Sequence, residues 1–145
     1  MRKKGISEIL EEVSKIKKKE ERVAALRQHG DNRGLLQILQ YALDPRVKWL
    51  LPEGTPPFKK NEFLDQESNL YSEIRRLYLF VEGGNSDLKP MKREMLFIGL
   101  LETVSPADAL LLCAAKDKKL PYKTITAEIV NEAFPGLLEL NEQAA

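Results

Sequence analysis

At 145 residues the chain fits one domain, long enough to bury roughly two-thirds of its unfolded surface. Apolar residues make up 43% and charged residues 31%, the balance of a globular protein and not of a disordered one. The net charge of +1 argues against a dedicated polyanion binder, and the longest apolar run, Ala109 to Ala115, is far below the ~18 residues of a membrane span.

The chain opens on Met1-Arg2-Lys3-Lys4 and meets glutamates where a signal peptide needs an apolar segment, so a cytosolic protein is expected. Ile6, Ile9, Leu10, Val13 and Ile16 form a helical stripe, with Glu8, Glu11 and Glu12 near its positive N-terminal end. The stripe lapses through Lys17 to Glu21 and resumes at Val23 and Leu26. Either one helix runs to Gln28, or it breaks near Lys18. His29-Gly30 ends it, and Asp31 or Asn32 caps a helix whose Leu35, Leu36, Ile38, Leu39, Ala42 and Leu43 give a broad buried face.

Asp44-Pro45 stops that helix, because a proline disfavours the helical conformation in the residue before it. Val47-Lys48-Trp49 alternates like an extended segment. The stretch from Leu51 to Phe58 is a proline-rich loop expected to lie over the core, with Trp49 and Phe58 as plugs. A long helix is expected from Asn61, with Phe63 and Leu64 in its first turns. Its inward row is Leu70, Tyr71, Ile74, Leu77, Tyr78 and Val81. Gly83-Gly84 end it, and Ser86 or Asp87 caps the next helix, with Pro90 in its first turn. That helix carries Met91, Met95, Ile98 and Glu102 on one row, with Phe97, Leu101 and Val104 on the row beside it. The pair around Gly83-Gly84 is expected to be the structural centre, with Ile74, Leu77, Tyr78 and Val81 meeting Met95, Ile98 and Leu101. Truncating Leu77 or Ile98 should then cost on the order of 2–5 kcal/mol.

Ser105-Pro106-Ala107-Asp108 reads as a helix start, with serine as cap and proline at the first helical position. The helix it opens is apolar nearly all round and should be buried on several sides. Lys116 to Lys123 is a loop, and Thr126 caps a last helix with Ile129, Val130, Ala133 and Phe134 inward, stopped by Pro135-Gly136. The polar tail, residues 139–145, is expected to fray. The fold expected is all-α: a single domain over residues 1–145, of six or seven helices in mostly antiparallel pairs, with the proline-rich segment as an irregular excursion.

Chemistry is sparse. His29 is the single histidine, and Cys113 the single cysteine, set in an apolar run where an inert buried thiol is expected. Neither a G-x-x-x-x-G-K-[ST] loop nor a G-x-G-x-x-G turn is present. Glu73 and Arg76, three apart on a helix, are expected to pair. The sequence thus points to no catalytic group, cofactor or metal.

Charge is unevenly placed. Residues 1 to 33 hold ten Lys or Arg against six Asp or Glu, whereas residues 124 to 145 hold four Glu and no base. That asymmetry either steers a partner or marks two solvated helix faces. The candidate contact for a partner or a nucleic acid is the group Lys116, Lys118, Lys119, Tyr122 and Lys123, in which the phenol can stack on a base while lysines meet phosphates. The alternative is a solvated connection whose Leu120 and Tyr122 tuck onto the core. In either case the four lysines are expected to be exposed and replaceable by Gln without loss of stability.

Five stretches carry a resemblance: Ile6 to Leu10, Val47 to Gly54, Arg76 to Asn85, Lys116 to Lys123, and Asn131 to Gly136. Their wording resembles a family of small proteins of unknown activity from T-even-like tailed bacteriophages, including those of cyanobacteria. The resemblance implies a phage product working in the cytoplasm of the infected bacterium, and it carries over no site residues. The expected function is a non-enzymatic interaction protein acting on a host or phage protein. The alternative is a nucleic-acid-binding accessory factor in replication or transcription.

Overall fold

The computed structural model describes residues 5–61, 69–84 and 87–138. The helices are Ile6–Ser14 (α1), Lys19–Arg27 (α2), Arg33–Leu43 (α3), Asn69–Glu73 (α4), Pro90–Leu101 (α5), Pro106–Lys116 (α6) and Ala127–Ala133 (α7), with a 3-10 segment, Ile74–Phe80, running on from α4. Among the described residues there is no strand, only an isolated antiparallel bridge between Trp49 and Val81. The fold is all-α, as its periodicity predicts.

The first apolar stripe does break. Residues 15–18 separate α1 from α2, and Arg22 turns back to donate to the carbonyls of Ile16 and Lys17 at 2.6 and 3.1 Å, which satisfies two acceptors of the connector. Asn32 caps α3 by accepting from the Leu35 amide at 3.1 Å. Thr126 caps α7 in the same way, through the Ile129 amide at 3.3 Å.

The centre of the molecule is α6. Helices α1, α3 and α5 all pack on it, and Asp108, Ala109, Leu111, Leu112, Cys113, Ala115 and Lys116 are buried along it. A helix apolar on nearly every side can be covered only from several directions. The pair around Gly83-Gly84, expected to be the centre, adds Leu77, Phe80, Phe97 and Leu101 to the core and reaches α6 through α5, but shares the cover of that helix with α1 and α3.

That pair also departs from expectation in its first arm. Residues 62–68, which include Phe63 and Leu64, lie outside the described residues. Beyond them the α-helix stops at Glu73 and tightens to a 3-10 winding. Three residues per turn bring Ile74, Leu77 and Phe80 onto one face, and these three are buried. Tyr78, inward on a spacing of 3.6, is 48% exposed. The chain then enters the bridge with Trp49, where Leu50 donates to the Phe80 carbonyl at 2.8 Å and Glu82 to that of Lys48 at 2.7 Å. Gly83 takes a left-handed φ of 88°, and a Cβ on Gly84 would run into the Tyr78 carbonyl.

Helix α5 starts at Pro90 with Lys89 as its cap, not at Ser86 or Asp87. Ser86 lies outside the described residues. The residue before a proline resists the α conformation, which delays the start to Pro90. The row that faces the core is the expected one only at Leu101. Phe97, Leu100 and Leu101 are buried, whereas Met91 and Met95 face solvent and Ile98 is half-buried. Aromatic packing decides this orientation: Phe97 meets Phe80 at 5.3 Å and Trp49 at 6.5 Å between ring centroids, both edge to face. Trp49 and Phe58 pack on the core as expected, and the Trp49 indole donates to the Tyr41 carbonyl at 2.9 Å.

The charge asymmetry closes within the molecule. α2 packs along α7, and the Lys19 ammonium meets Glu128 at 2.8 Å and Glu132 at 3.3 Å. Arg27 reaches the Glu132 carbonyl at 2.9 Å. Both ion pairs are exposed to solvent, so they set the register of the two helices more than they stabilise them.

Candidate functional site

The five residues singled out around Tyr122 do not form one surface. Lys116 is the last residue of α6, and its side chain is almost wholly buried. Its ammonium donates to the Pro52 carbonyl and to Asp117, each at 2.7 Å. Lys118 takes a left-handed φ of 63° just past the helix end, which turns its side chain back under the molecule. There its ammonium donates to the carbonyls of Asp44, Tyr41 and Val47 at 2.6, 2.9 and 3.0 Å. Burial lowers the Lys118 pKa, against the pull of the Asp44 charge. The expectation that all four lysines are exposed is thus corrected for these two. Only Lys119 and Lys123 stand in solvent.

Tyr122 is half-buried and packs on the core together with Leu120, and its hydroxyl donates to the Ser7 carbonyl at 3.3 Å. Burial, with the nearby charges of Asp108 and Glu11, pushes its phenol up to about 12. Helical spacing could have flagged Lys116, which continues the buried row Ala109, Leu112 and Cys113. For Lys118 no periodic signal existed.

Asp108 lies at the other end of α6, fully buried on the row it shares with Leu111, Leu112 and Ala115. One carboxylate oxygen accepts from the Ser7 amide at 3.2 Å. α1 has a glycine at its cap position, so Asp108 supplies from another helix the acceptor that Gly5 lacks. Its second oxygen has no partner among the described residues. Burial raises the Asp108 pKa and the Glu8 charge adds to this, while the Ser7 contact and the nearby Ser105 hydroxyl oppose it. Asp44 contrasts with it: burial pushes its carboxyl up, but Arg46, ion-paired at 2.8 Å, and Lys118 together take it below the ordinary range. Burial raises the thiol pKa of Cys113 as well, with the Thr55 hydroxyl pulling the other way. A buried, protonated thiol is a poor nucleophile.

The arrangement best suited to meeting a partner lies on α5. Met91 is 76% and Met95 63% exposed, one turn apart on the face turned away from the core. Ile98, one turn further along, lines a groove of about 270 Å³ between α5 and the proline-rich loop. Phe97 and Ile98 lie at its base, Leu51, Pro52, Thr55, Pro56 and Pro57 along the loop side, and Glu53, Glu94 and Lys116 also line it. The loop is held in place from α6. Lys116 grips Pro52, and Asp117 accepts from the Gly54 amide at 3.2 Å.

Among the described residues no group of His, Cys, Asp and Glu comes together as a metal cluster, and no helix is long and apolar enough to cross a membrane. Fold and groove together define a small helical domain built around a buried central helix. Residues 9–122 match the family of unknown function DUF6433, and the chain belongs to that family. No curated protein matches it.

Proposed function

We propose that this chain is a non-enzymatic interaction protein that offers the outer face of α5 and the adjoining groove to a protein partner. The observation that carries the reading is the exposure of Met91 and Met95 beside an apolar cleft. Methionine side chains are flexible and polarizable, and they recur on surfaces that repack around a partner. The sequence resemblance to phage proteins adds a setting, the cytoplasm of an infected bacterium, with a host or phage protein as the partner. A protein partner is favoured over a nucleic acid because Tyr122 is tied to Ser7 and Lys116 and Lys118 are spent on carbonyls.

The test is affinity capture of the tagged protein from infected cells, wild type against Met91→Lys with Met95→Lys. Both positions are exposed, so the variant should keep its helical circular dichroism. We expect a captured protein that withstands moderate salt and is lost in the variant. Capture of nucleic acid instead, released steeply as salt rises, would favour the accessory-factor reading. A captured protein indifferent to both substitutions would overturn the site.

A further inference from the structure

We infer that the occupant of the α5 groove is a basic amphipathic helix, its apolar anchors seated on Met91, Met95 and the Phe97–Ile98 cleft and its Lys or Arg residues opposite Glu53 and Glu94. The inference rests on the interaction reading above and gives that partner its chemistry.

Size comes first. At about 270 Å³ the cleft falls just below the ~300–1,000 Å³ typical of pockets that enclose a whole small molecule. It suits an inserted side chain. From Met91 to Ile98 the ridge runs seven residues, or roughly 10 Å of helix. That length matches a partner's anchors at i, i+4 and i+7, the spacing of helix-in-groove recognition.

Charge then selects the partner's flanks. Glu53 and Glu94 are both exposed and line the cleft, and neither has an ion-pair or hydrogen-bond partner among the described residues. The cation beside them, Lys116, is buried and already neutralised at 2.7 Å by Asp117, so it does not offset them. Lys92 is two residues from Glu94, about 160° away around α5, and therefore lies on the flank opposite Glu94. An apolar floor under two free carboxylates disfavours an acidic partner and an uncharged one gains nothing from them.

The experiment uses the full chain, isotope-labelled for amide NMR, and two designed helical probes of about 18 residues. Both carry leucines on one face; one has lysines elsewhere and the other glutamates. The Leu/Lys peptide is expected to bind, with shifts concentrated at Met95, Phe97, Ile98, Gly54 and Thr55, and the Leu/Glu peptide is not. Reversing Glu53→Lys with Glu94→Lys should weaken the Leu/Lys peptide at least tenfold and admit the Leu/Glu one. Equal binding of the two peptides, no binding of either, or shifts elsewhere on the molecule would overturn the inference. Self-association in sedimentation that Met95→Lys abolishes would also overturn it, since the occupant would then be a second copy. The parent reading fails separately. If capture from infected cells is lost on Met91→Lys with Met95→Lys but unchanged by the charge reversals, the interaction face stands and its basic partner does not.

Discussion

At each end of α6 a charge is turned into a neighbouring helix, half-buried at Lys118 just past its C-terminus and fully buried at Asp108 in its first turn, and the two do so with unequal success. At the C-terminal end, Lys118 meets three carbonyls at and beyond the end of α3, and every acceptor within 3.0 Å is main chain. At the N-terminal end, Asp108 meets one amide at the start of α1 and leaves its second oxygen without a partner. Both charges sit where the helix dipole of the other element favours them, a cation at carbonyls and an anion at an amide. What separates them is satisfaction. A buried charge stabilises only when its hydrogen-bonding capacity is used, and an orphaned oxygen retains the desolvation penalty. One end of α6 is a strong joint, the other a weak one.

The sharpest way to break this comparison is Lys118→Met, which keeps the apolar stem and removes the ammonium. Three charge-assisted hydrogen bonds are lost at once, leaving the Val47 carbonyl without a donor while those of Tyr41 and Asp44 keep the Trp49 indole and the Val47 amide, and we expect a loss of about 2–4 kcal/mol in urea unfolding. A change within about 0.5 kcal/mol, the range of ordinary surface substitutions, would mean the joint is ornamental. Lys116→Met should follow at about 1–3 kcal/mol, since it frees the Pro52 carbonyl and leaves Asp117 without its cation. Its second signature is faster amide exchange at Gly54, because the loop loses one of its ties to α6.

Asp108→Asn probes the weak end through pH. The folded-state pKa of Asp108 is raised, so its stabilising contribution is complete below the unfolded value near 4 and is lost as pH rises through the folded value. The Asn variant does not titrate. Measured by denaturation across pH 4 to 7, its stability relative to wild type should therefore improve as pH rises. A difference that stays flat across that range would show that Asp108 is not strained by burial. The smallest effect is expected for Lys119→Gln with Lys123→Gln. Both side chains are exposed, and stability should stay within about 0.5 kcal/mol of wild type. A larger drop would place a structural contact where the comparison has none.

These residues also mark how far the sequence could be read. The stripes of α1 and α3, the caps at Asn32, Ser105 and Thr126, and the all-round apolar character of α6 were legible, because each is written in near neighbours along one helix. The pairing of Glu73 with Arg76 at 3.2 Å was legible for the same reason. The candidate site was not. Five residues close in sequence around Tyr122 separate in space, because the left-handed turn at Lys118 sends one lysine under the fold while Lys119 stays out. The groove beside Met91 and Met95 joins segments some forty residues apart, and no local pattern announces such a meeting.

What the sequence by itself determined, then, is most of the helices, the caps at Asn32, Ser105 and Thr126 and the burial of α6, all consequences of spacing along a single helix. Which of two apolar rows α5 turns inward was decided only by the tertiary structure, where Phe97 docks between Phe80 and Trp49 and leaves the methionines outside. The same holds for the winding of Ile74–Phe80 and for the partners of Asp108, Lys116 and Lys118. Those choices depend on which distant carbonyl, amide or ring arrives alongside, and a sequence read locally holds no distances between remote segments.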